Sequence, residues 1–198
     1  MKIVFASGNE GKVREIREML AGMGVELVSL KNYSGVPEII EDGKTFLENA
    51  LKKARKIAEF TGETVLADDS GLSVDELGGE PGIYSARYAG EKATDDDNID
   101  LLLSRLKNIP LEKRTAFFCC ALVLYRVDGS YDSFESKWNG RIIDDRRGDN
   151  GFGYDPIFYV PQLKKTAAEM PPELKNRVSH RGQAFAQLKK ALEEKLKN

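Results

Sequence analysis

Apolar residues recur along this chain in two rhythms, short runs of strand length and longer stretches of period 3.6, which outline an alternation of strands and helices. Lys2 to Ala6 is a short apolar run that reads as a first strand. The polar loop Ser7-Gly8-Asn9-Glu10-Gly11 leads from it into a helix with Val13, Ile16, Met19 and Leu20 on one face. Gly22 and Gly24 stop that helix, and Val25 to Leu30 returns as a strand. Beyond a polar connector containing Pro37, Thr45 and Glu48 have capping-box spacing. They open a long helix whose apolar stripe runs through Leu47, Ala50, Leu51, Ala54, Ile57 and Ala58.

The run Thr64 to Ala67 ends in Asp68-Asp69 and then Ser70-Gly71. This predicts a strand with two carboxylates at its C-terminal end and a turn directly after them. Leu72 to Leu77 reads as a separate strand reaching the Gly-Gly-Glu-Pro-Gly turn at 78–82. Thr94-Asp95-Asp96-Asp97 precedes a helix through Lys107, and its acidic residues suit N-terminal capping better than metal ligation. Thr115 to Val127 is the strongest candidate for a central strand, and Asp128-Gly129 turns it back into Tyr131 to Trp138. A glycine-rich loop follows from Arg146 to Tyr154. Pro171-Pro172 starts a short helix, and Ser179-His180-Arg181 precedes a terminal amphipathic helix carrying Phe185, Leu188, Ala191, Leu192 and Leu196. The fold class is α/β with a mixed sheet, in one domain over 1–198 without repeats or an interdomain linker.

Composition narrows the function classes. The chain has 198 residues, enough to bury a substantial core, with 41% hydrophobic and 31% charged residues. A net charge of −2 gives no basic footprint for nucleic acid, and no apolar run approaches the length of a membrane span. The N-terminus reads as a strand, not as a signal peptide. Cys119 and Cys120 are strand neighbours that point to opposite faces, so reduced core thiols and a cytoplasmic location are expected. With one histidine and these two cysteines, a dense zinc site is excluded.

Several polar clusters have chemical potential. Ser7 to Lys12 joins a strand to a helix, where free backbone N–H groups and the positive helix end can hold a phosphate. It is not a Walker A loop, because Gly8 to Gly11-Lys12 is too short and Val13 stands where Ser or Thr is needed. Asp68 and Asp69 offer hard oxygen ligands for Mg²⁺ and a means of polarising water. Glu41 is a third carboxylate near a turn, and Lys52 or Lys53 can point inward from the following helix. Phe152-Gly153-Tyr154-Asp155 combines aromatic faces with a carboxylate, suited to stacking on a nucleobase. Lys175, His180 and Arg181 add cationic donors near a helix boundary. A Ser/His/Asp hydrolase is disfavoured, since Ser179 adjoins the only histidine and no nucleophile elbow exists. Together these clusters describe a metal-dependent nucleotide enzyme.

From end to end the chain resembles the inosine triphosphate pyrophosphatase family, the HAM1-like or RdgB-like dITP/XTP pyrophosphatases. The resemblance rests on Ser7-Gly8-Asn9-Glu10-Gly11-Lys12, Gly43-Lys44-Thr45-Phe46-Leu47-Glu48-Asn49-Ala50, Ala67-Asp68-Asp69-Ser70-Gly71-Leu72 and Leu77 to Tyr88. It continues through Gly151-Phe152-Gly153-Tyr154-Asp155-Pro156 and Ser179-His180-Arg181-Gly182. It implies Mg²⁺-dependent hydrolysis of ITP, dITP and XTP to the monophosphate and pyrophosphate, in an elongated two-lobed subunit with a cleft between lobes, as a homodimer. It also implies that Ser7 to Lys12 and Lys53 meet the triphosphate and that Asp69 is proton acceptor and metal ligand with Glu41. Ser70, Phe152 to Asp155, Lys175, His180 and Arg181 would contact substrate. Because Asp68 and Asp69 are adjacent, the sequence does not divide these roles between them. A Maf-like pyrophosphatase with another base preference and a nucleotide-binding sensor are the alternatives.

Overall fold

A computed structural model describes residues 1–196. Seven strands form one sheet in the order β2-β1-β3-β4-β5-β6-β7. They are β1 (Lys2–Phe5), β2 (Glu26–Ser29), β3 (Val65–Val74), β4 (Thr115–Tyr125), β5 (Tyr131–Ile142), β6 (Phe158–Val160) and β7 (Lys165–Thr166). The sheet is mixed: β1 runs parallel to β2 and β3, while β5–β6 and β6–β7 are antiparallel. The helices are α1 (Glu10–Leu20), α2 (Phe46–Thr61), α3 (Asp95–Leu106), α4 (Pro172–Val178) and α5 (His180–Leu196). No helix among the described residues is long and apolar enough to cross a membrane.

The chain forms two compact units, each assembled from separate segments. The first comprises Met1–Asp69, Cys120–Ser136 and Arg181 onward, and the second Ser70–Cys119 and Lys137–His180. In the first unit, strand alternation sorts the core by residue parity. Ile3, Phe5, Leu66, Cys120, Leu122 and Leu124 pack with Ile16 and Leu20 of α1 and Ala184, Phe185 and Leu188 of α5. Val4, Ala6, Val65, Ala67, Ala121 and Val123 pack instead with Ala50, Ala54 and Ile57 of α2. The second unit buries Ile99, Leu102 and Leu106 of α3 against Leu72, Val74, Phe118, Trp138, Ile142 and Phe158.

Several expectations need correction. Asp68-Asp69-Ser70-Gly71 is neither a strand end nor a turn, and Leu72 to Leu77 is not a second strand. All of them up to Val74 belong to the single ten-residue strand β3, and Asp75–Leu77 is a 3₁₀ turn. Asp, Ser and Gly favour turns in isolation, but every residue of β3 except Ser70 is buried, and sheet pairing with packing outweighs local preference. The returning strand β5 runs to Ile142, beyond Trp138. Glu10 and Gly11 lie in the first turn of α1, whose cap is Asn9, and His180 and Arg181 lie in the first turn of α5. At α2 the Thr45 hydroxyl accepts from the Glu48 amide at 3.1 Å, while the Glu48 carboxylate accepts from Lys44 rather than Thr45, at 2.6 Å. Only half of a capping box forms there. A full one forms at α3, where Thr94 and Asp97 cap reciprocally.

Candidate active site

Parity within β3 separates the two aspartates. Asp68 follows Leu66 towards the face covered by α1 and α5, and Asp69 follows Val65 and Ala67 towards the face covered by α2. Lys12 Nζ of α1 lies 2.8 Å from Asp68 Oδ2, and Arg181 Nε of α5 lies 3.5 Å from the same oxygen. The Arg181 guanidinium also pairs with Glu15. On the other face, Lys53 Nζ lies 3.5 Å from Asp69 Oδ1 and 3.1 Å from Glu41 Oε1. The Asn49 amide donates to Asp69 Oδ2 at 3.1 Å. Lys52, next in sequence to Lys53, is exposed and pairs with Asp42 at 2.6 Å.

These surroundings push the two carboxyls in opposite directions. Burial alone would raise Asp68, but the positive charges of Lys12, Arg181 and Lys53 outweigh it, and its pKa falls well below the carboxylate range. Burial also raises Asp69; there Lys53 and Lys12 offset it only in part, and the like charge of Glu41 adds to the rise. Lys53 is pulled down by burial, yet Asp69, Asp68 and Glu41 together hold its pKa above the ordinary value. Asp68 is thus a fixed anion within a cationic setting, and Asp69 the better proton acceptor.

Around the first strand-to-helix junction, Ser7 Oγ accepts from the Asn9 amide at 3.2 Å, and Asn9 Oδ1 caps α1 by accepting from the Lys12 amide at 3.0 Å. A Cβ at Gly8 would meet open space, so nothing in the chain itself demands glycine there. Glu10 is exposed and pairs with Lys31 rather than with any buried residue of the site. Ser70, half-buried in β3, belongs to the second unit.

Within that second unit, Lys175 Nζ lies 2.6 Å from Asp155 Oδ2 and 5.0 Å from the centroid of the Phe152 ring. The Phe152 amide donates to the same Asp155 oxygen at 3.0 Å. Gly151 has φ +80, and a Cβ there would stand 2.0 Å from that oxygen, so both backbone and space require glycine. The Gly153 amide donates to Asp95 Oδ2 at 2.7 Å. Tyr154 is buried with its hydroxyl donating to the Ser85 carbonyl at 2.9 Å, which makes it a core residue, while Phe152 stays half-buried. His180 lies almost parallel to Phe118, at 10° and 4.8 Å between ring centroids, and to Trp138, at 19° and 6.3 Å.

Two further side chains, Asn49 and Glu15, hold Asp69 and Arg181 although neither has a reactive motif of its own in the sequence. Each carried a positional signal, since Asn49 stands one helical turn before Lys53 and Glu15 one turn after Lys12. A profile of the Ham1 family matches residues 3–191. The chain belongs to the Ham1 family. Among similar proteins, a Geobacter sulfurreducens protein named dITP/XTP pyrophosphatase is 52% identical over 188 residues, 95% of this chain and 94% of the relative. A Vibrio vulnificus protein of the same name is 50% identical over 98% of this chain and 97% of its own length. Among solved structures, a HAM1 protein from Coxiella burnetii superimposes with a TM-score of 0.89 at 43% identity, covering 98% of this chain and 99% of that one. The Staphylococcus aureus Ham1 protein gives 0.88 at 42% identity, over 98% and 100% of the two chains.

The residues present fit a hard divalent cation. Glu41 and Asp69 converge on the Lys53 ammonium, so a positive charge is already accommodated between two anionic oxygen donors. Among the described residues no three His, Cys, Asp or Glu side chains form a metal cluster. A donor set of two carboxylates suits Mg²⁺, which retains waters and shares substrate phosphates instead of seeking a full protein cage.

Proposed function

We propose that this Ham1 protein is a Mg²⁺-dependent nucleoside-triphosphate pyrophosphatase that hydrolyses ITP, dITP and XTP to the monophosphate and pyrophosphate, removing non-standard purines from the nucleotide pool. The observation that carries this reading is the pairing of a fixed anion, Asp68, with a neighbouring carboxylate of raised proton affinity, Asp69, among Lys12, Lys53 and Glu41. The names of the relatives support the substrate class.

Asp69 accepts the proton of a water as that water's oxygen forms a bond to the α-phosphorus. The bond from that phosphorus to the bridging oxygen breaks, and pyrophosphate carries away the electron pair. Lys12 and Lys53 offset the charge that builds on the phosphate oxygens, and the N-terminal turn of α1 offers backbone donors to them. Glu41 and Asp69 would hold Mg²⁺, which supplies charge neutralisation and a lowered pKa for bound water. Asp68 keeps Lys12 and Arg181 in place.

Base choice follows from hydrogen-bond polarity. Hypoxanthine and xanthine present a 6-keto acceptor where adenine presents an amino donor. Donors from His180 and Arg181 pair with the acceptor and meet a donor instead on adenine, and sites built in this way discriminate by about 10⁴-fold. The enzyme acts as a homodimer in the cytoplasm, where Cys119 and Cys120 stay reduced; light scattering on the eluted protein measures the assembly.

One assay tests the reading. Incubation with ITP, XTP, dTTP and GTP plus Mg²⁺, with pyrophosphate and orthophosphate measured separately, should give pyrophosphate from ITP and XTP. Preferential dTTP hydrolysis would indicate a Maf-like pyrophosphatase, and absence of product from every nucleotide a nucleotide-binding sensor.

A further inference from the structure

Asn49 is wholly buried in the first turns of α2, and both ends of its side chain are engaged. Oδ1 accepts from the Gly43 amide at 2.7 Å, and Nδ2 donates to Asp69 Oδ2 at 3.1 Å. The two bonds enforce each other. A backbone amide can only donate, so the oxygen of Asn49 must face Gly43 and its amino group must face the carboxylate. The Gly43 segment passes so close that a Cβ there would stand 2.6 Å from Asn49 Oδ1 and 2.9 Å from Glu48 Cβ. Gly43 has no positive φ, so space rather than backbone conformation requires glycine.

Gly43 lies two residues after Glu41. The contacts therefore close a ring: Asp69 to Asn49, Asn49 to Gly43, along the chain to Glu41, from Glu41 to Lys53 at 3.1 Å, and from Lys53 back to Asp69 at 3.5 Å. Asn49 and Lys53 stand one helical turn apart on the same face of α2. The cation of Lys53 draws the two carboxylates together but does not fix their rotation. The amide does, because it ties one Asp69 oxygen and the Glu41-bearing segment to a single rigid plane.

We propose that Asn49 is a positioning residue that, with Gly43 as its seat, preorganises Glu41 and Asp69 as the donor pair for a divalent cation. This rests on the assignment of those two carboxylates as cation ligands. Groups that orient metal ligands contribute about 10- to 100-fold in metal affinity. Neutral and apolar replacements are informative because they leave Lys53, Glu41 and Asp69 in the chain.

The test uses Asn49→Ala, Gly43→Ala and the double variant, with Mn²⁺ titrated into the nucleotide-free protein and followed by electron paramagnetic resonance. Each single variant should bind Mn²⁺ about tenfold more weakly than the wild type, and should need about tenfold more Mg²⁺ for half-maximal turnover, with KM for ITP at saturating Mg²⁺ within about twofold. The double variant should be no worse than the poorer single one, because both remove the same bridge. Circular dichroism and thermal unfolding identify the folded variants, and Gly43→Ala carries the test if Asn49→Ala does not fold. A folded variant with unchanged Mn²⁺ affinity and Mg²⁺ requirement would overturn the proposal, as would additive losses in the double variant. Failure of the wild type to bind Mn²⁺ would instead overturn the assignment of Glu41 and Asp69 as ligands.

Discussion

Lys12 Nζ lies 2.8 Å from Oδ2 of Asp68, whose side chain has no solvent exposure. Removing one partner of a buried pair strands the other charge, and the stranded charge costs more than the pair was contributing. Lys12→Met should therefore destabilise the protein by about 3 kcal/mol, the low end for such a break because Arg181 still faces Asp68. Urea denaturation measures this, and Lys12→Arg should recover part of the loss. An unchanged midpoint in Lys12→Met would show that Asp68 does not depend on Lys12.

Asp69→Asn removes the carboxylate proposed to accept the proton while preserving shape and leaving Lys53 paired with Glu41 at 3.1 Å. The expected result is a fall in kcat of about 10³-fold with a thermal midpoint close to that of the wild type. Turnover near normal would refute the role of Asp69.

His180 is the sole histidine in the chain, so its imidazole resonances need no assignment. Its ring is stacked on Phe118 and Trp138, and ring currents should shift its carbon-bound protons upfield of a free imidazole. In Phe118→Leu those resonances should move downfield. The preference for ITP over ATP should fall by up to about tenfold, in line with the 0.5–1.5 kcal/mol that an aromatic contact contributes. Loss of the ring shift with no change in preference would separate His180 from base choice.

Acid sensitivity has a local component at α3. Asp97 accepts from the Thr94 hydroxyl at 2.6 Å and from the Thr94 amide at 2.8 Å, and these bonds lower its pKa. A carboxyl that is more acidic when folded contributes stability above its unfolded pKa of about 3.9 and loses it as pH falls through the folded value. The thermal midpoint of Asp97→Asn should lie below that of the wild type at pH 7, and the gap should close as pH falls below 4. A gap independent of pH would remove the Asp97 charge from the account.

The elements legible in the sequence were those whose local and global signals agree. The α2 stripe, the long apolar β4 and the Asp128-Gly129 hairpin needed nothing beyond periodicity and turn chemistry, because burial there follows the same pattern that propensity favours. Ser7 to Lys12, the paired aspartates and the lysine-bearing face of α2 were recognisable as chemistry for the same reason, since charged residues between apolar ones stand out.

β3 shows where that reading stops. Asp68 to Gly71 carry turn residues, yet they run straight through the sheet, since the neighbours that bury them lie far away in sequence. The residue types at 68 and 69 determined that two carboxylates would stand side by side on opposite faces of whatever strand held them. Only the packing of α1 and α5 on one face and α2 on the other decided which is held as a fixed anion and which gains proton affinity. A carboxyl's proton affinity depends on the charges within a few ångströms, and Lys12, Arg181, Glu41 and Asn49 reach that distance only when the chain is folded.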